Sequence, residues 1–198
     1  MSNYQKASFL LSVADVKQLP PDEGIEVAIV GRSNAGKSST LNRMTQVKQL
    51  ARVSKTPGRT QLINIFVLDE ARRIADLPGY GYARAPLAAK QRWQKLVDTY
   101  LEHRECLRGL LLVMDIRHPL QPLDKQLLAF CEIYDLPVHV LLNKADKLSN
   151  LAISKTVKEV KAALTVYRNS VTFQIFSAAK GTGLKELHSL LNGWYEFK

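Results

Sequence analysis

The nine residues from Gly31 to Ser39, GRSNAGKSS, place a lysine and a hydroxyl directly behind a glycine-rich loop. They match the pattern G-x-x-x-x-G-K-[ST], in which the glycines let backbone N–H groups crowd around an anion. Lys37 would then reach the β- and γ-phosphates of a nucleotide, and the Ser38 hydroxyl would bind Mg²⁺. The pattern predicts a nucleoside triphosphate site. The residues expected to contact the nucleotide here are Gly31, Arg32, Ser33, Asn34, Ala35, Gly36, Lys37, Ser38 and Ser39.

Three shorter clusters follow along the chain, each at the end of an apolar run that is typical of a strand. Asp76-Leu77-Pro78-Gly79 matches D-x-x-G, Asn143-Lys144-Ala145-Asp146 matches N-K-x-D, and Phe176-Ser177-Ala178 closes the series. In the first cluster, the aspartate is expected to hold Mg²⁺ through water and the glycine amide to face the γ-phosphate. Each cluster alone is weak evidence, but their common order indicates one site.

The N-K-x-D cluster indicates which base is bound. A carboxylate at Asp146 can accept hydrogen bonds from N1–H and the 2-amino group of guanine, whereas adenine would leave it unpaired. Asn143 and Lys144 would brace the loop and cover the base, and a backbone amide at Ser177-Ala178 could meet guanine O6. The sequence therefore predicts GTP or GDP with Mg²⁺ as the bound cofactors.

One further hydroxyl is needed to close over the γ-phosphate and Mg²⁺, and the segment Lys55–Gln61 offers Thr56 and Thr60. Thr60 is preferred because it directly precedes a predicted strand, whereas Thr56 is read as an ordinary loop hydroxyl. Ser38 and Thr60 are thus the predicted Mg²⁺ ligands, and Lys37, Thr60 and Gly79 the predicted catalytic residues. The neighbouring residues expected to contact the nucleotide are Gly58, Arg59, Thr60, Gln61 and Leu62.

Hydrolysis is expected to be slow, because the position after D-x-x-G, where Ras-like enzymes carry a water-orienting glutamine, is Tyr80. Gln61 is a weaker substitute. Asn34 is a candidate K⁺ ligand, and a monovalent cation beside the phosphates would neutralise charge as an arginine finger does. The alternative is that Asn34 caps its own loop by hydrogen bonding.

The elements that would position these residues alternate between strand-like and helix-like segments. The predicted strands lie at 25–30, 62–68, 72–75, 107–115, 138–143 and 171–177, and the second and third form a hairpin. This alternation predicts an α/β fold with a mostly parallel six-stranded sheet, one antiparallel strand and helices on both faces. The chain is read as one domain, 1–198, with 1–24 as an N-terminal extension packed on it and Ala7–Val13 as an edge element.

The composition of the chain indicates which class of partner it binds. The chain of 198 residues carries a net charge of +10, which favours a polyanionic partner. Basic residues cluster at Lys48, Arg52, Lys55 and Arg59, and again at Arg84, Lys90, Arg92 and Lys95, on the segments expected to move with the γ-phosphate. RNA affinity that depends on the nucleotide state is therefore expected. Cys106 and Cys131 are read as free buried thiols in a reducing compartment.

Five segments, GRSNAGKSS, KTPGRTQLINIF, DLPGYGYA, MDIRHP and NKAD, resemble the EngB/YihA-type GTP-binding proteins of bacteria, within the TrmE-Era-EngA-EngB-septin-like class. The resemblance runs from about Ser8 to the C-terminus. It implies a Ras-like P-loop GTPase fold with Mg²⁺ at Ser38 and Thr60. It also implies the large ribosomal subunit, its rRNA and proteins, as partner, and a role in subunit assembly whose loss disturbs cell division or septation.

The predicted function is that of a cytoplasmic, monomeric assembly GTPase with no membrane partner. Three other functions are alternatives to it. A GTP-dependent RNA-binding module with incidental hydrolysis is favoured by Tyr80. A membrane-traffic GTPase is disfavoured because the sequence ends Tyr195-Glu196-Phe197-Lys198 without a lipidation cysteine. A phosphate-transferring kinase would have no need for N-K-A-D.

Overall fold

The computed structural model describes residues 3–51, 62–81, 87–167 and 171–197. Its strands are β1 (Ser8–Val13), β2 (Ile25–Gly31), β3 (Ile63–Val67), β4 (Arg72–Asp76), β5 (Leu107–Asp115), β6 (Val138–Asn143) and β7 (Val171–Ile175). Its helices are α1 (Lys37–Thr45), α2 (Leu87–His103), α3 (Pro122–Ile133), α4 (Asn150–Leu164) and α5 (Leu184–Tyr195). Short 3₁₀ turns span Asn3–Lys6, Val16–Gln18 and Ala145–Lys147.

The described strands form one sheet in the order β1-β3-β4-β2-β5-β6-β7. The β3–β4 hairpin is antiparallel, and β2 lies parallel to β4 and β5. The α/β class and the single reversed strand, β3, are confirmed, but the count of six strands is wrong. The expected edge element became a seventh strand because β1 pairs with β3, from Ser8 opposite Val67 to Val13 opposite Ile63.

Helices cover both faces of the sheet because the central strands carry apolar side chains on both sides. On one face Val27, Ile29 and Leu111 pack with buried residues of α1 and α5, such as Leu41 and Leu187. On the other face, Ala28, Val30, Leu110 and Leu112 pack with α2, α3 and α4. This doubly covered parallel sheet presents the carboxyl ends of its strands at one edge, where such folds bind ligands.

The opposite edge of the sheet is held by a buried carboxylate. Glu26 on β2 is fully buried and accepts hydrogen bonds from Arg73 Nε at 3.1 Å, Arg104 Nε at 3.0 Å and Tyr100 Oη at 2.6 Å. Arg104 also donates to the carbonyl oxygen of Pro20 at 2.9 Å. The cluster therefore fastens the segment before β2 to the strands and to α2, away from the predicted site.

The two cysteines are free and buried, as expected from the sequence. Burial raises the pKa of Cys106 and of Cys131 to about 12, so both remain protonated thiols at neutral pH. No helix in the described ranges is long and apolar enough to cross a bilayer.

Candidate nucleotide-binding site

The predicted phosphate loop joins the end of β2 to the start of α1. Its backbone turns left-handed at Asn34 (φ 65°) and at Gly36 (φ 98°), the N-cap of α1. A Cβ at Gly36 would stand 2.3 Å from Nδ2 of Asn143, so only glycine fits there. No side chain caps the helix at Gly36, which leaves the first backbone N–H groups of α1 available for an anion.

Lys37 and Asp76 meet beside this loop. The Lys37 ammonium group donates to one carboxylate oxygen of Asp76, and Asn64 Nδ2 lies 3.4 Å from the other. Both charged side chains are largely buried, with exposed fractions of 14% for Lys37 and 6% for Asp76. The loop lysine and the D-x-x-G aspartate, 39 residues apart in sequence, are therefore brought into one site.

The residues present fit a Mg²⁺ ion shared with a nucleotide. Ser38, half-buried on the first turn of α1, offers a hydroxyl, and the neighbouring Asp76 offers a carboxylate. Mg²⁺ prefers such oxygen ligands and usually completes its shell with waters and substrate phosphates. The described residues contain no cluster of three or more His, Cys, Asp or Glu that would form an all-protein metal site.

Asn143 and Lys144 both hold the phosphate loop, as predicted for bracing residues. Asn143 is buried, and its Nδ2 donates to the Ala35 carbonyl oxygen at 2.9 Å. Lys144 Nζ lies 2.5 Å from the Asn34 carbonyl oxygen and 2.9 Å from Oδ2 of Asp115. The first two residues of N-K-A-D are therefore hydrogen-bonded directly to the phosphate loop.

Asp115 was missed from the sequence, although it ends a predicted strand. It also accepts a hydrogen bond from Arg117 Nη2 at 2.6 Å. Partial burial acts to raise the pKa of Asp115, but the hydrogen bonds from Arg117 and Lys144 outweigh it and hold that pKa well below its usual value. Asp115 is therefore an anionic anchor for Lys144 at neutral pH.

Asp146, the residue predicted to contact the base, is held by a hydrogen bond and an ion pair. Its Oδ1 accepts from Ser177 Oγ at 2.6 Å, and Lys147 Nζ lies 3.4 Å from Oδ2. The hydrogen bond from Ser177 lowers the pKa of Asp146, which keeps the carboxylate ionised. Two predicted base-contacting residues from different strand ends, Asp146 and Ser177, are therefore in direct contact.

The backbone amides of Ser177 and Ala178 have partners within the chain in this structure, and the expectation that one of them meets guanine O6 stays a prediction. The Ser177 amide donates to the Thr182 carbonyl oxygen at 3.0 Å, and the Ala178 amide donates to Asn143 Oδ1 at 3.0 Å. A base oxygen would have to share one of these donors or be met by the next amide, that of Ala179. Phe176, the third predicted contact in this cluster, is fully buried in the core.

Arg43 on α1 is a second residue missed by sequence reasoning. Its Nε donates to the Ala178 carbonyl oxygen at 2.6 Å, and its Nη2 donates to that of Ala179 at 2.8 Å. Nothing in the helical pattern of α1 signals this contact, because the partners lie 135 and 136 residues away. The helix that follows the phosphate loop therefore also holds the loop predicted to face guanine.

The Tyr80 side chain is buried against α3. It is 2% exposed, and its hydroxyl donates to Asp124 Oδ1 on α3 at 2.5 Å. Its carbonyl oxygen accepts from the Ser33 amide at 2.7 Å, so the backbone after D-x-x-G adjoins the phosphate loop. Leu77 and Gly79 are buried in the same stretch, and the Leu77 amide donates to the Ile29 carbonyl oxygen at 2.9 Å.

Several predicted residues lie outside the described ranges. These are Arg52, Lys55, Thr56, Gly58, Arg59, Thr60, Gln61 and Arg84. The Mg²⁺ and catalytic roles of Thr60 therefore stay predictions. Leu62, at the start of the next described range, is 36% exposed.

Asn34 is exposed. The capping alternative requires a hydrogen bond from its side chain to its own loop, and the side chain makes no such bond among the described residues.

The fold and these strand-end clusters define a Ras-like P-loop protein that binds GTP. Residues 26–144 match the family described as 50S ribosome-binding GTPase, and residues 95–196 match the elongation factor Tu GTP-binding domain. The chain is 53% identical over 192 residues to the probable GTP-binding protein EngB of Coxiella burnetii, covering 97% of this chain and 94% of that protein. It is 51% identical over 193 residues to the protein of the same description from Mannheimia succiniciproducens, with coverages of 98% and 94%. The chain belongs to the EngB family of GTP-binding proteins, with a GTPase domain.

Solved structures agree on the fold. A crystal structure of a probable GTP-binding protein engB superposes with a TM-score of 0.70 at 23% identity, covering 87% of this chain and all of that one. A crystal structure of Aquifex aeolicus Era bound to GDP and AlF4⁻ superposes with a TM-score of 0.67 at 23% identity, covering 87% of this chain and 57% of Era.

Proposed function

We propose that this protein is a Mg²⁺-dependent GTPase that acts as a nucleotide-controlled switch in assembly of the large (50S) ribosomal subunit. The observation that carries the proposal is the match of residues 26–144 to 50S ribosome-binding GTPases. The net charge of +10 suits a partner rich in RNA. In this proposal the protein works as a cytoplasmic monomer, and its loss disturbs cell division and septation.

Different described residues would bind different parts of the nucleotide. Lys37 would leave Asp76 for the β- and γ-phosphates, and Asp146, ionised beside Ser177, would accept from the guanine edge. Asn143 and Lys144 keep the phosphate and base ends at a constant separation through their bonds to Ala35 and Asn34. Ser38, and Asp76 through water, would hold Mg²⁺, which would neutralise charge at the phosphates.

Slow intrinsic hydrolysis belongs to the same proposal. The Tyr80 hydroxyl is committed to Asp124, so it is not aimed at a water near the γ-phosphate. Ras, which has a glutamine at this position, turns over at only ~10⁻⁴ s⁻¹ unaided, so we expect less than about one turnover per minute here. K⁺ at Asn34, or contact with the ribosome, would complete the site. Asn34→Ala should then abolish any difference between rates in K⁺ and in Na⁺.

A second function is favoured by the same orientation of Tyr80. If no activator exists, the protein is a GTP-dependent RNA-binding module in which hydrolysis is incidental. Turnover that rises in K⁺ or with ribosomal particles supports the switch. Turnover that stays slow under every condition supports the binding module.

The decisive experiment is sedimentation of the purified protein with large and small ribosomal subunits, bound in turn to a non-hydrolysable GTP analogue and to GDP. Co-sedimentation with the large subunit in the GTP form alone is the expected result. Binding that ignores the nucleotide would replace the switch with a constitutive RNA-binding protein. Absence of binding to either subunit would reject the ribosomal proposal.

A further inference from the structure

The solvent face of α4 carries three lysines in regular order. Lys155, Lys158 and Lys161 follow at i, i+3 and i+6, and all three are exposed. Among the described residues, no carboxylate lies within ion-pair distance of any of them. Glu159 is the one acidic residue of the helix. The α4 face, defined here as these three lysines, is therefore a positive surface without a described counter-charge.

This face lies within a strongly basic stretch of the chain. Residues 144–185 contain eight basic and two acidic residues, so they hold +6 of the total net charge of +10. One of the two acids, Asp146, is turned to Ser177 and Lys147 in the base pocket and does little to neutralise the helix surface. Such a concentrated excess is the electrostatic footprint of a polyanion-binding surface.

The spacing of the lysines suits a phosphate backbone. A helix rises 1.5 Å per residue, so successive lysines are about 4.5 Å apart along its axis, of the same order as the roughly 3.4 Å of axial rise per phosphate on one strand of B-DNA. The exposed residues on the same side, Ser154, Ala162 and Thr165, are small and would not hold a strand away. Flexible lysine stems can take up the remaining difference.

The α4 face is fixed to the sheet and lies outside the two basic segments expected to move with the γ-phosphate. The opposite side of the helix buries Val160 and Leu164 in the core, with Ile153 and Val157 packed against it. Its start is capped by the Ser149 hydroxyl, which accepts from the Ala152 amide at 3.3 Å. The helix should therefore present the same lysines whether GDP or GTP is bound.

We propose that the α4 face binds the phosphate backbone of RNA independently of the nucleotide state. The assignment of that RNA to the large ribosomal subunit rests on the proposed function. In this scheme α4 provides an RNA affinity that does not change with the nucleotide, while the two basic clusters from Lys48 to Arg59 and from Arg84 to Lys95 add the part that depends on the γ-phosphate. The two contributions can be separated because they lie on different segments of the chain.

The test compares K155Q/K158Q/K161Q with the matched control K6Q/K17Q/K125Q, which removes the same charge from exposed lysines elsewhere. The probes are a fluorescein-labelled RNA duplex and purified large ribosomal subunits, titrated at several salt concentrations with GDP and with a GTP analogue. Each lost phosphate contact reduces the slope of log K against log salt by about 1, so we expect a reduction of about 2–3 for the α4 variant in both nucleotide states. The control should retain the wild-type slope. Unchanged GDP affinity would show that the variants are folded.

Each other outcome has a definite meaning. An α4 variant with the wild-type slope on the duplex overturns the inference, even if wild-type protein binds subunits. Wild-type binding to subunits but not to the duplex would mean that a ribosomal protein is recognised, which also overturns it. Failure of wild type to bind subunits rejects the proposed function, and the duplex titration still decides the role of the α4 face.

Discussion

Lys37 of the phosphate loop and Asp76 of D-x-x-G form an ion pair in which both side chains are mostly buried. A bound nucleotide would require both residues, the lysine for phosphate and the aspartate for Mg²⁺ through water. The pair therefore keeps each charge compensated until the nucleotide separates them. Breaking one half of a buried pair is strongly destabilising because the other charge is left without a partner.

Asp76→Ala should lower the free energy of unfolding of the nucleotide-free protein by about 3–5 kcal/mol, measured by urea denaturation. GDP in the presence of EDTA should stabilise the variant more than wild type, because its phosphates replace the missing carboxylate beside Lys37. The control is Asp69→Ala, which removes a more exposed pair with Arg72 at 3.1 Å and should cost less than about 1 kcal/mol. Equal losses in the two variants would contradict this account.

Tyr80→Phe should lower the stability of the fold without changing the rate of GTP hydrolysis. Burial raises the pKa of Asp124, and the substitution removes the Tyr80 hydroxyl donor while the Gln121 amide remains at 2.8 Å. We expect a loss of about 1–3 kcal/mol, seen as a lower Tm, and GTP turnover within about twofold of wild type. Tyr134→Phe, which removes an exposed hydroxyl bonded to Glu102, is the control. A large fall in kcat at unchanged Tm would place Tyr80 in the reaction instead.

Arg43→Ala should weaken the hold on the base. Removing a charged donor from the carbonyl oxygens of Ala178 and Ala179 frees the loop predicted to face guanine. A hydrogen bond of this kind is worth about 1.5–3 kcal/mol, so the affinity for GDP should fall by about tenfold or more. Arg43→Lys keeps the charge without the planar fork and should be intermediate. Pyrophosphate, which lacks the base, should bind both variants as it binds wild type; a parallel loss of pyrophosphate affinity would indicate damage to the phosphate loop.

Local patterns predicted the elements well, and long-range contacts account for what they missed. Strand β5 was predicted with its observed bounds, Leu107–Asp115, because a continuous apolar run identifies a buried strand. The apolar periodicity of 153–164 predicts a helix from Ile153, whereas α4 begins at Asn150 because the Ser149 hydroxyl caps it. The bonds of Arg43 to Ala178 and of Tyr80 to Asp124 join residues 135 and 44 positions apart, and no local periodicity encodes them.

Asp146→Asn tests the base assignment. The amide would keep an acceptor for the Ser177 hydroxyl, but its NH₂ group would oppose the donors on the guanine edge. A buried unpaired donor costs about 1–3 kcal/mol, so GTP affinity should fall by about tenfold while xanthosine triphosphate, which offers an acceptor there, gains affinity. Competition between the two nucleotides measures the exchange directly. Unchanged preference for GTP would show that Asp146 does not contact the base.

His139 on β6 should make stability depend on pH in mildly acidic solution. It is 5% exposed, its Nδ1 lies 2.7 Å from Thr172 Oγ1, and its Nε2 lies 3.0 Å from Gln174 Oε1. The amide group of Gln174 donates through Nε2 to the Gly183 carbonyl oxygen at 2.7 Å, so its Oε1 faces His139 as an acceptor and the ring carries its proton on Nε2. Burial lowers the pKa of His139 below its ordinary value, which disfavours the charged ring in the folded state.

The direction in which the free energy of unfolding changes with pH follows from proton binding by His139. Above the unfolded-state pKa of about 6.5 the ring is neutral in both states, and His139 adds no pH dependence. As the pH falls below that value, the unfolded chain takes up a proton before the folded one does, so stability is lost until the lowered folded-state pKa is reached. The free energy of unfolding should thus decline as the pH falls below about 6.5, with His139 contributing at most about 1.4 kcal/mol per pH unit. His139→Gln should flatten that decline in urea titrations, whereas His103→Gln, which replaces an exposed ring, should leave it nearly as steep. Equal slopes in wild type and His139→Gln would mean that burial at this strand does not control the titration.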